Sequence, residues 1–128
     1  MVALLRRRCP CLARRQRLLE DPPELRLDGL VPFRLGWDMA VPRDPGIYLI
    51  SDLRGPLYIG RTGNLRRRYG QHYLGSHNDL VNRALDRPLG EPSFAWVHMP
   101  AADQPAVERQ LIGALAPICN LTNQRLYA

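Results

Sequence analysis

The chain lacks lysine altogether, so all 18 of its Lys and Arg positions are arginine. Codon bias in a GC-rich genome is the simplest explanation, although arginine also binds phosphate in a forked geometry that lysine does not offer. Apolar runs of membrane-spanning length are missing as well, which excludes a transmembrane helix and predicts no membrane partner. Stretches rich in Ser or Gln are few, so the body of the chain is expected to be globular.

Cysteine is scarce, with only three residues, Cys9, Cys11 and Cys119. A single Cys-x-Cys without a second ligand pair falls short of a zinc site. Because the number of cysteines is odd and no export signal is present, we expect reduced thiols and a cytoplasmic location.

Carboxylates are absent from the first 19 residues, which hold six arginines, so the net charge of +6 resides in this segment. Three interpretations of the segment stay open: a nucleic-acid-binding arm, an amphipathic targeting peptide, or translation from a start codon placed too far upstream. The length fits one domain. We expect residues 1–34 to form a poorly ordered basic arm and linker, and residues 35–128 to form the domain.

The segment 46–72 predicts two short strands and a basic helix. Residues 47–50 and 57–59 are rich in β-branched and aromatic side chains and are bounded by proline and glycine, a pattern typical of a hairpin. Asn64 suits the N-cap of the helix. Spacing of three and four residues puts a cation and an imidazole on one helical face with two inward-packing side chains: Leu65, Arg68, Tyr69 and His72.

The regions on either side of this segment predict further elements. Residues 25–35 favour an edge strand or a helical turn, and the alternation of Trp37, Met39 and Val41 favours packing over a sheet edge. A short helix is expected after His77 or Asn78. Residues 93–99 are aromatic and β-branched enough for a third strand.

A last helix is predicted over residues 104–115, capped by Asp103 and ended by Pro117. Glu108 falls on its apolar stripe. A carboxylate in that position requires a metal ion or an arginine as partner, because unpaired burial costs several kcal/mol.

Two tripeptides of the central segment, GIY at residues 46–48 and YIG at residues 58–60, resemble the signature tripeptides of the GIY-YIG nuclease family. Four further residues match positions of that family in order: Arg68, His72, Glu108 and Asn120. The resemblance covers roughly residues 46–121. It implies an α/β (α+β) nuclease domain with a three-stranded, mostly antiparallel sheet flanked by helices. It also implies divalent-metal-dependent endonucleolytic cleavage of DNA that leaves 5′-phosphate and 3′-hydroxyl ends.

Phosphodiester hydrolysis needs an activated water, a Lewis acid and cations that offset the charge of the phosphorane. With this resemblance, Glu108 is the candidate ligand of one hydrated Mg²⁺ or Mn²⁺, and Arg68 is the candidate phosphate ligand. Tyr48 is preferred as the general base and Tyr58 as a ligand of water or phosphate, with the reverse assignment open. His72 is expected to relay the tyrosine proton or to bind phosphate.

Asn120 is expected to brace a helix end or a tyrosine. Three arginines after the second tripeptide form a local basic cluster. All three are candidates for contact with DNA, although solvated side chains are the simpler interpretation of the last two: Arg61, Arg66 and Arg67.

Two rival functions stay open. One is a nucleic-acid-binding module of the same fold without turnover, and the other is an accessory protein whose partner supplies the substrate. Because only eight residues follow Asn120, we expect specificity for the DNA partner to come from the basic arm, a homo-oligomer or a targeting protein.

Overall fold

A computed structural model of the chain describes residues 26–120. Its centre is a four-stranded antiparallel sheet in the order β1-β4-β2-β3. The strands are β1 (Gly29–Pro32), β2 (Gly46–Asp52), β3 (Gly55–Thr62) and β4 (Ser93–His98). The helices are α1 (Leu65–Gly75), α2 (Asp79–Asp86) and α3 (Gln104–Leu115), with short 3-10 helices at Asp38–Ala40 and Ile118–Asn120.

The predicted fold class is confirmed, and the sheet has one strand more than expected. The additional strand, β1, pairs with β4 at the sheet edge, so the edge-strand interpretation of residues 25–35 is right and the helical turn is wrong. Its residues lie inside the range 1–34, and the domain boundary at residue 35 stays a prediction. Expectations for the arm through residue 25, including Cys9 and Cys11, lie outside the described residues.

Local sequence signals explain the helix starts. The Asn64 side chain accepts a hydrogen bond from the Arg67 N–H at 3.1 Å, and Asn78 accepts from the N–H groups of Leu80 and Val81, as N-caps do. Asp103 occupies the cap position of α3 but makes no side-chain cap hydrogen bond. That helix ends at Leu115, and its C-cap, Ala116, has a left-handed φ of 47° directly before Pro117.

The core lies where β2 and β4 meet α1. The Tyr48 ring stacks on Phe94 with centroids 5.3 Å apart, and Tyr69 meets the same Phe94 edge-on at 5.0 Å. The hydroxyl of Tyr69 bonds the backbone carbonyl of Arg34 at 2.7 Å, which ties α1 to the segment after β1. Aromatic pairs in these geometries add to the stabilisation from burial alone.

Two local expectations need correction. Trp37 and Met39 do not alternate inward: Trp37 caps a 3-10 helix that contains Met39, the two are 44% and 69% exposed, and only Val41 is buried. Along α3 the apolar stripe is half-buried rather than buried, and the fully buried residue is Gln104. Its amide donates to the backbone carbonyls of Thr62 and Met99, so a polar side chain joins α3 to the sheet.

Within residues 26–120, no helix has both the length and the apolar character needed to cross a membrane.

The first glycine of the GIY tripeptide provides a test of the packing between β2, β4 and α1. A Cβ on Gly46 would overlap the carbonyl oxygen of Val97 and press on the Leu65 side chain. We expect Gly46→Ala to lower the free energy of unfolding by about 1–3 kcal/mol, since backbone cannot yield as a side chain can.

Urea denaturation measures this loss of stability. Gly63→Ala is the matched control, because nothing lies within 4 Å of the Cβ it would add. Equal stability of the two variants would contradict the close backbone approach at Gly46.

Candidate active site

The two signature tripeptides interlock across the β2–β3 pair. Tyr48 lies directly opposite Gly60 in the antiparallel register, and its ring folds over that glycine. A Cβ on Gly60 would overlap the hydroxyl oxygen and the ring of Tyr48. The glycine that ends the second tripeptide therefore provides the space for the tyrosine that ends the first.

The hydroxyl of Tyr48 is buried and finds its partner on α1. It lies 2.7 Å from Nε2 of His72, and Nδ1 of the same imidazole lies 3.0 Å from Oγ of Ser76. His72 is itself 2% exposed. Burial, with the charges of Arg68 and His77, lowers the pKa of His72 to about 4, so the imidazole is neutral at physiological pH.

Tyr58 lies beside this pair but is only partly buried. Its ring centroid is 6.0 Å from that of Tyr48 and 5.4 Å from that of His72. Burial raises the pKa of Tyr58, and hydrogen bonding with Tyr48 and the charge of Arg68 act in the opposite direction. Burial raises the pKa of Tyr48 much further. Of the two hydroxyls, that of Tyr58 is the easier to ionise.

Arg68 faces the two tyrosines and His72 from α1. Its positive charge lowers the pKa of all three groups. The Nε atom is buried and has no hydrogen-bond partner among the described residues. A buried guanidinium donor without a partner suits an anionic oxygen, because charged groups in such positions are normally paired.

Glu108 reaches the site from α3 and lies near enough to Tyr58 for its charge to raise that tyrosine's pKa. Burial raises the pKa of Glu108 too, and Arg61 lowers it. That arginine is half-exposed, and its Nε lies 4.0 Å from the carboxylate, so the ion pair is loose. The carboxylate keeps the capacity to bind a cation.

No group of three His, Cys, Asp or Glu residues gathers anywhere in residues 26–120. A divalent ion at Glu108 would therefore be held by one carboxylate and complete its shell with water and other oxygen ligands. This donor set fits Mg²⁺, which retains several waters and is usually held by one or two carboxylates.

Asn120 braces the strand that carries Tyr58. Its side-chain amide accepts from the Ile59 N–H and donates to the Ile59 carbonyl, both at 3.0 Å. It thus pairs with the outer edge of β3 as a neighbouring strand would. Next to it, the Cys119 carbonyl accepts a hydrogen bond from the Asn78 side chain, which joins this brace to the start of α2.

A cleft of about 410 Å³ opens beside these residues. It lies between the start of α2 and the Ile118–Asn120 turn, and its lining includes Tyr58, His77, Asn78, Asp79 and Asn120. The more ionisable tyrosine therefore faces a space that a small group could enter, whereas Tyr48 is 1% exposed.

The three arginines of the basic cluster take different positions. Arg66 donates to the backbone carbonyls of Val41 and Met39, and its own N–H donates to Pro42, so it holds the segment before β2. Arg61 and Arg67 are exposed. A role in DNA contact stays a prediction for all three, and the structure turns Arg66 away from Tyr48 and toward this segment.

Two residues near the site were missed by the sequence reasoning, Ser76 and Asn82. The Ser76 hydroxyl contacts His72, and the Asn82 side chain bonds both the N–H and the carbonyl of Ser76. A serine four residues after a histidine at the end of a predicted helix is a signal that points to the first contact. The second depends on how α1 and α2 pack.

Together the fold and the site define a small α/β domain in which a tyrosine lines a cleft, near a buried arginine Nε without a partner in the described residues and a half-buried glutamate. The family model described as the GIY-YIG catalytic domain matches residues 44–123 of the chain. The chain belongs to the GIY-YIG family. This is a family of DNA endonucleases, and membership implies nuclease activity.

Similar proteins fit this assignment. The UvrABC system protein C of Aquifex aeolicus is 41% identical over 44 residues, which are 34% of this chain and 8% of that protein. The chain therefore spans a small fraction of the length of this relative.

Among solved structures, the GIY-YIG N-terminal endonuclease domain of UvrC from Thermotoga maritima, bound to magnesium as its catalytic divalent cation, superposes with a TM-score of 0.54. It is 22% identical and covers 66% of this chain and 91% of that domain. A tyrosine-to-phenylalanine mutant of the same domain has a TM-score of 0.53 at 23% identity and covers 65% of this chain and 89% of that one. These similarities support the fold.

The neutral state of His72 has a measurable consequence for stability. As pH falls below about 6.5, His72 takes up a proton in the unfolded chain but not in the folded one, where its pKa is about 4. The contribution of His72 to stability is therefore fully present above pH 6.5. It is lost as the pH falls toward 4, and its size is about 3 kcal/mol at most.

Chemical denaturation at pH 7.5, 6, 5 and 4.5 measures the effect as the difference between the wild type and His72→Gln. We expect the wild type to lose more stability than the variant over this range. The exposed His77 is the control, since His77→Gln should retain most of the wild-type slope. Parallel curves for wild type and His72→Gln would show that His72 is not held neutral.

Proposed function

We propose that the protein is a divalent-metal-dependent endonuclease that hydrolyses DNA phosphodiester bonds. The observation that carries the proposal is the buried Nε of Arg68, which has no partner in residues 26–120 and shares one site with two tyrosines, a neutral histidine and a lone glutamate. An anionic phosphate would supply the missing partner.

Tyr58 is the general base of this proposal, which reverses the assignment preferred from sequence. Tyr58 lines the cleft, whereas Tyr48 is buried and its pKa is raised much further. Arg68 and the hydroxyl of Tyr48 both favour the ionised form of Tyr58. With Tyr58 ionised, a water held beside it would transfer a proton to the phenolate oxygen as the water attacks phosphorus. The P–O3′ bond would break in the same displacement, and the departing 3′ oxygen would take up a proton from solvent.

Glu108 would hold the ion through its half-buried carboxylate, as the single acidic ligand. Mg²⁺ or Mn²⁺ bound there supplies Lewis-acid polarisation of a phosphate oxygen. The neighbouring Arg61 is too loosely placed to neutralise the carboxylate. The UvrC domain of similar fold carries its catalytic divalent cation, and we carry this property over to Glu108 as part of the proposal.

Arg68 binds the phosphate and offsets the charge that develops on the phosphorane, a contribution of the kind that oxyanion donors make. His72 is neutral, so it acts as a fixed hydrogen-bond partner of Tyr48 rather than as a proton relay. Asn120 holds β3 in place and so sets the position of Tyr58. DNA is the proposed partner, and the exposed Arg61 and Arg67 are candidates for contact with it.

Arg68→Ala should reduce kcat for DNA nicking by at least about 100-fold, since one preorganised donor to a developing charge is typically worth that much. The melting temperature should stay within a few degrees of the wild type, because the Arg68 Nε has no partner in the described chain to lose.

Nicking of supercoiled DNA in Mg²⁺, with a thermal melt of each variant, tests this expectation. Arg83→Ala is the matched control, an exposed arginine on α2 away from the site. A folded Arg68→Ala protein that nicks at the wild-type rate would remove Arg68 from the mechanism. A wild-type protein that binds DNA but does not nick it would instead favour the binding module without turnover.

Glu108→Gln should abolish cleavage while preserving stability. The substitution keeps the shape but removes the charge that would hold the ion, and the loose pair with Arg61 is worth no more than about 1 kcal/mol. Binding of Mn²⁺, measured by electron paramagnetic resonance, should be lost together with activity.

Asp86→Asn provides the matched control, since it removes an exposed carboxylate at the end of α2. Glu108→Gln protein that melts several degrees early would show that the carboxylate has a structural partner. Retained Mn²⁺ binding would assign the ion to other ligands.

A further inference from the structure

Ser76 follows the last residue of α1 and lies four residues after His72. It is 7% exposed, and its hydroxyl is the partner of the imidazole on the side away from Tyr48. The distance from Oγ to His72 Nδ1 is 3.0 Å. The same oxygen accepts a hydrogen bond from the Asn78 N–H at 3.1 Å.

These contacts determine which imidazole nitrogen carries the proton. If Nδ1 carried it, the Ser76 oxygen would accept two hydrogen bonds, and its own buried proton would lack an acceptor among the described residues. If Ser76 donates to Nδ1 instead, every group of the pair is satisfied. Leaving a buried donor unpaired costs about 1–3 kcal/mol, so the second arrangement is favoured.

The direction of the Ser76–His72 hydrogen bond also determines the direction of the hydrogen bond between His72 and Tyr48. A neutral imidazole that accepts at Nδ1 carries its proton at Nε2, which lies 2.7 Å from the Tyr48 hydroxyl. Tyr48 then accepts from His72, and its own proton is available for the neighbouring Tyr58. A hydrogen bond donated to the Tyr58 oxygen favours the ionised form of that group.

We propose that Ser76 is a positioning residue that fixes His72 in the Nε2-protonated tautomer and thereby directs the Tyr48 hydroxyl proton toward Tyr58. The role of Tyr58 as base in this inference rests on the proposed function. The tautomer itself rests on the hydrogen bonds of Ser76, Asn78 and His72.

The position of Ser76 is itself held from α2. The Asn82 side chain accepts from the Ser76 N–H at 2.8 Å and donates to the Ser76 carbonyl at 2.5 Å. Asn78 adds its N–H to the Ser76 hydroxyl while its side chain caps α2. Both ends of the Ser76 backbone are therefore bonded to one amide, which fixes the position of the residue, and the Asn78 N–H gives the hydroxyl a second partner in the orientation that contacts His72.

Nitrogen NMR of the full chain labelled with ¹⁵N-histidine reports the tautomer without reference to activity. In the wild type we expect His72 to carry its proton at Nε2, with Nδ1 shifted as a hydrogen-bond acceptor. Ser76→Ala should produce a mixture of both tautomers, and Ser76→Thr, which retains the hydroxyl, should restore the wild-type spectrum. Ser93→Ala is the control, because its hydroxyl pairs with Ser51 away from the site.

Nicking kinetics add a readout that a purely structural role would not move. Ser76→Ala should lower kcat on the order of tenfold, the value of one hydrogen bond, with KM unchanged, and Ser76→Thr should recover the rate. A wild-type spectrum with the proton at Nδ1, or a Ser76→Ala spectrum identical to the wild type, would overturn the inference. So would an unchanged kcat in Ser76→Ala.

The two proposals fail in different ways. A wild-type chain that shows the expected tautomer but cuts no DNA refutes the nuclease proposal and, with it, the direction toward Tyr58 as base. A wild-type chain that cuts DNA but carries the Nδ1 proton refutes the role of Ser76 alone. If Ser76→Ala does not fold, the wild-type and Ser76→Thr spectra still decide the tautomer.

Discussion

The buried hydroxyl of Tyr48 is the constraint on which the site depends. The ring stacks on Phe94 and covers Gly60, so the hydroxyl cannot reach bulk water and must find a partner inside the protein. That partner is His72 on α1. The need to satisfy the other imidazole nitrogen then brings Ser76 into the interior, and with it the junction between α1 and α2. A core aromatic residue thus sets the geometry of a helix junction two elements away.

The junction between α1 and α2 also supports Tyr58, through contacts that run from Asn78 to Asn120. Asn78 caps α2 and bonds the carbonyl of Cys119, and the next residue, Asn120, brackets the Ile59 peptide of β3. Tyr58 lines the cleft, yet the strand that carries it is held by Asn120, and the residue before Asn120 is bonded to the start of α2. Rigid support of this kind is what the proposed role of Tyr58 in catalysis requires. Burial separates the two tyrosines chemically, since it raises the pKa of Tyr48 far more than that of Tyr58.

Arg66 and Arg68 differ in their surroundings in a way that the sequence alone does not determine. Arg66 and Arg68 lie two positions apart on α1, and nothing local distinguishes them. Two helical positions correspond to about 200° of rotation, so their side chains point to opposite sides. Arg66 bonds the carbonyls before β2, and Arg68 faces the tyrosines. The family resemblance singled out Arg68, but the surroundings of that side chain depend on the packing of α1 against the sheet.

The sequence alone determined the local elements and the family: the β2–β3 hairpin, the Asn64 cap, the bounds of α3 and the two tripeptides all follow from residues close in the chain. Tertiary structure decided the fourth strand, the bracket of Asn120 on β3 and the contact of Ser76 with His72. It also decided which tyrosine is buried. Propensity and capping act within a few residues, whereas burial, pKa and hydrogen-bond direction depend on segments that meet only after the chain has folded.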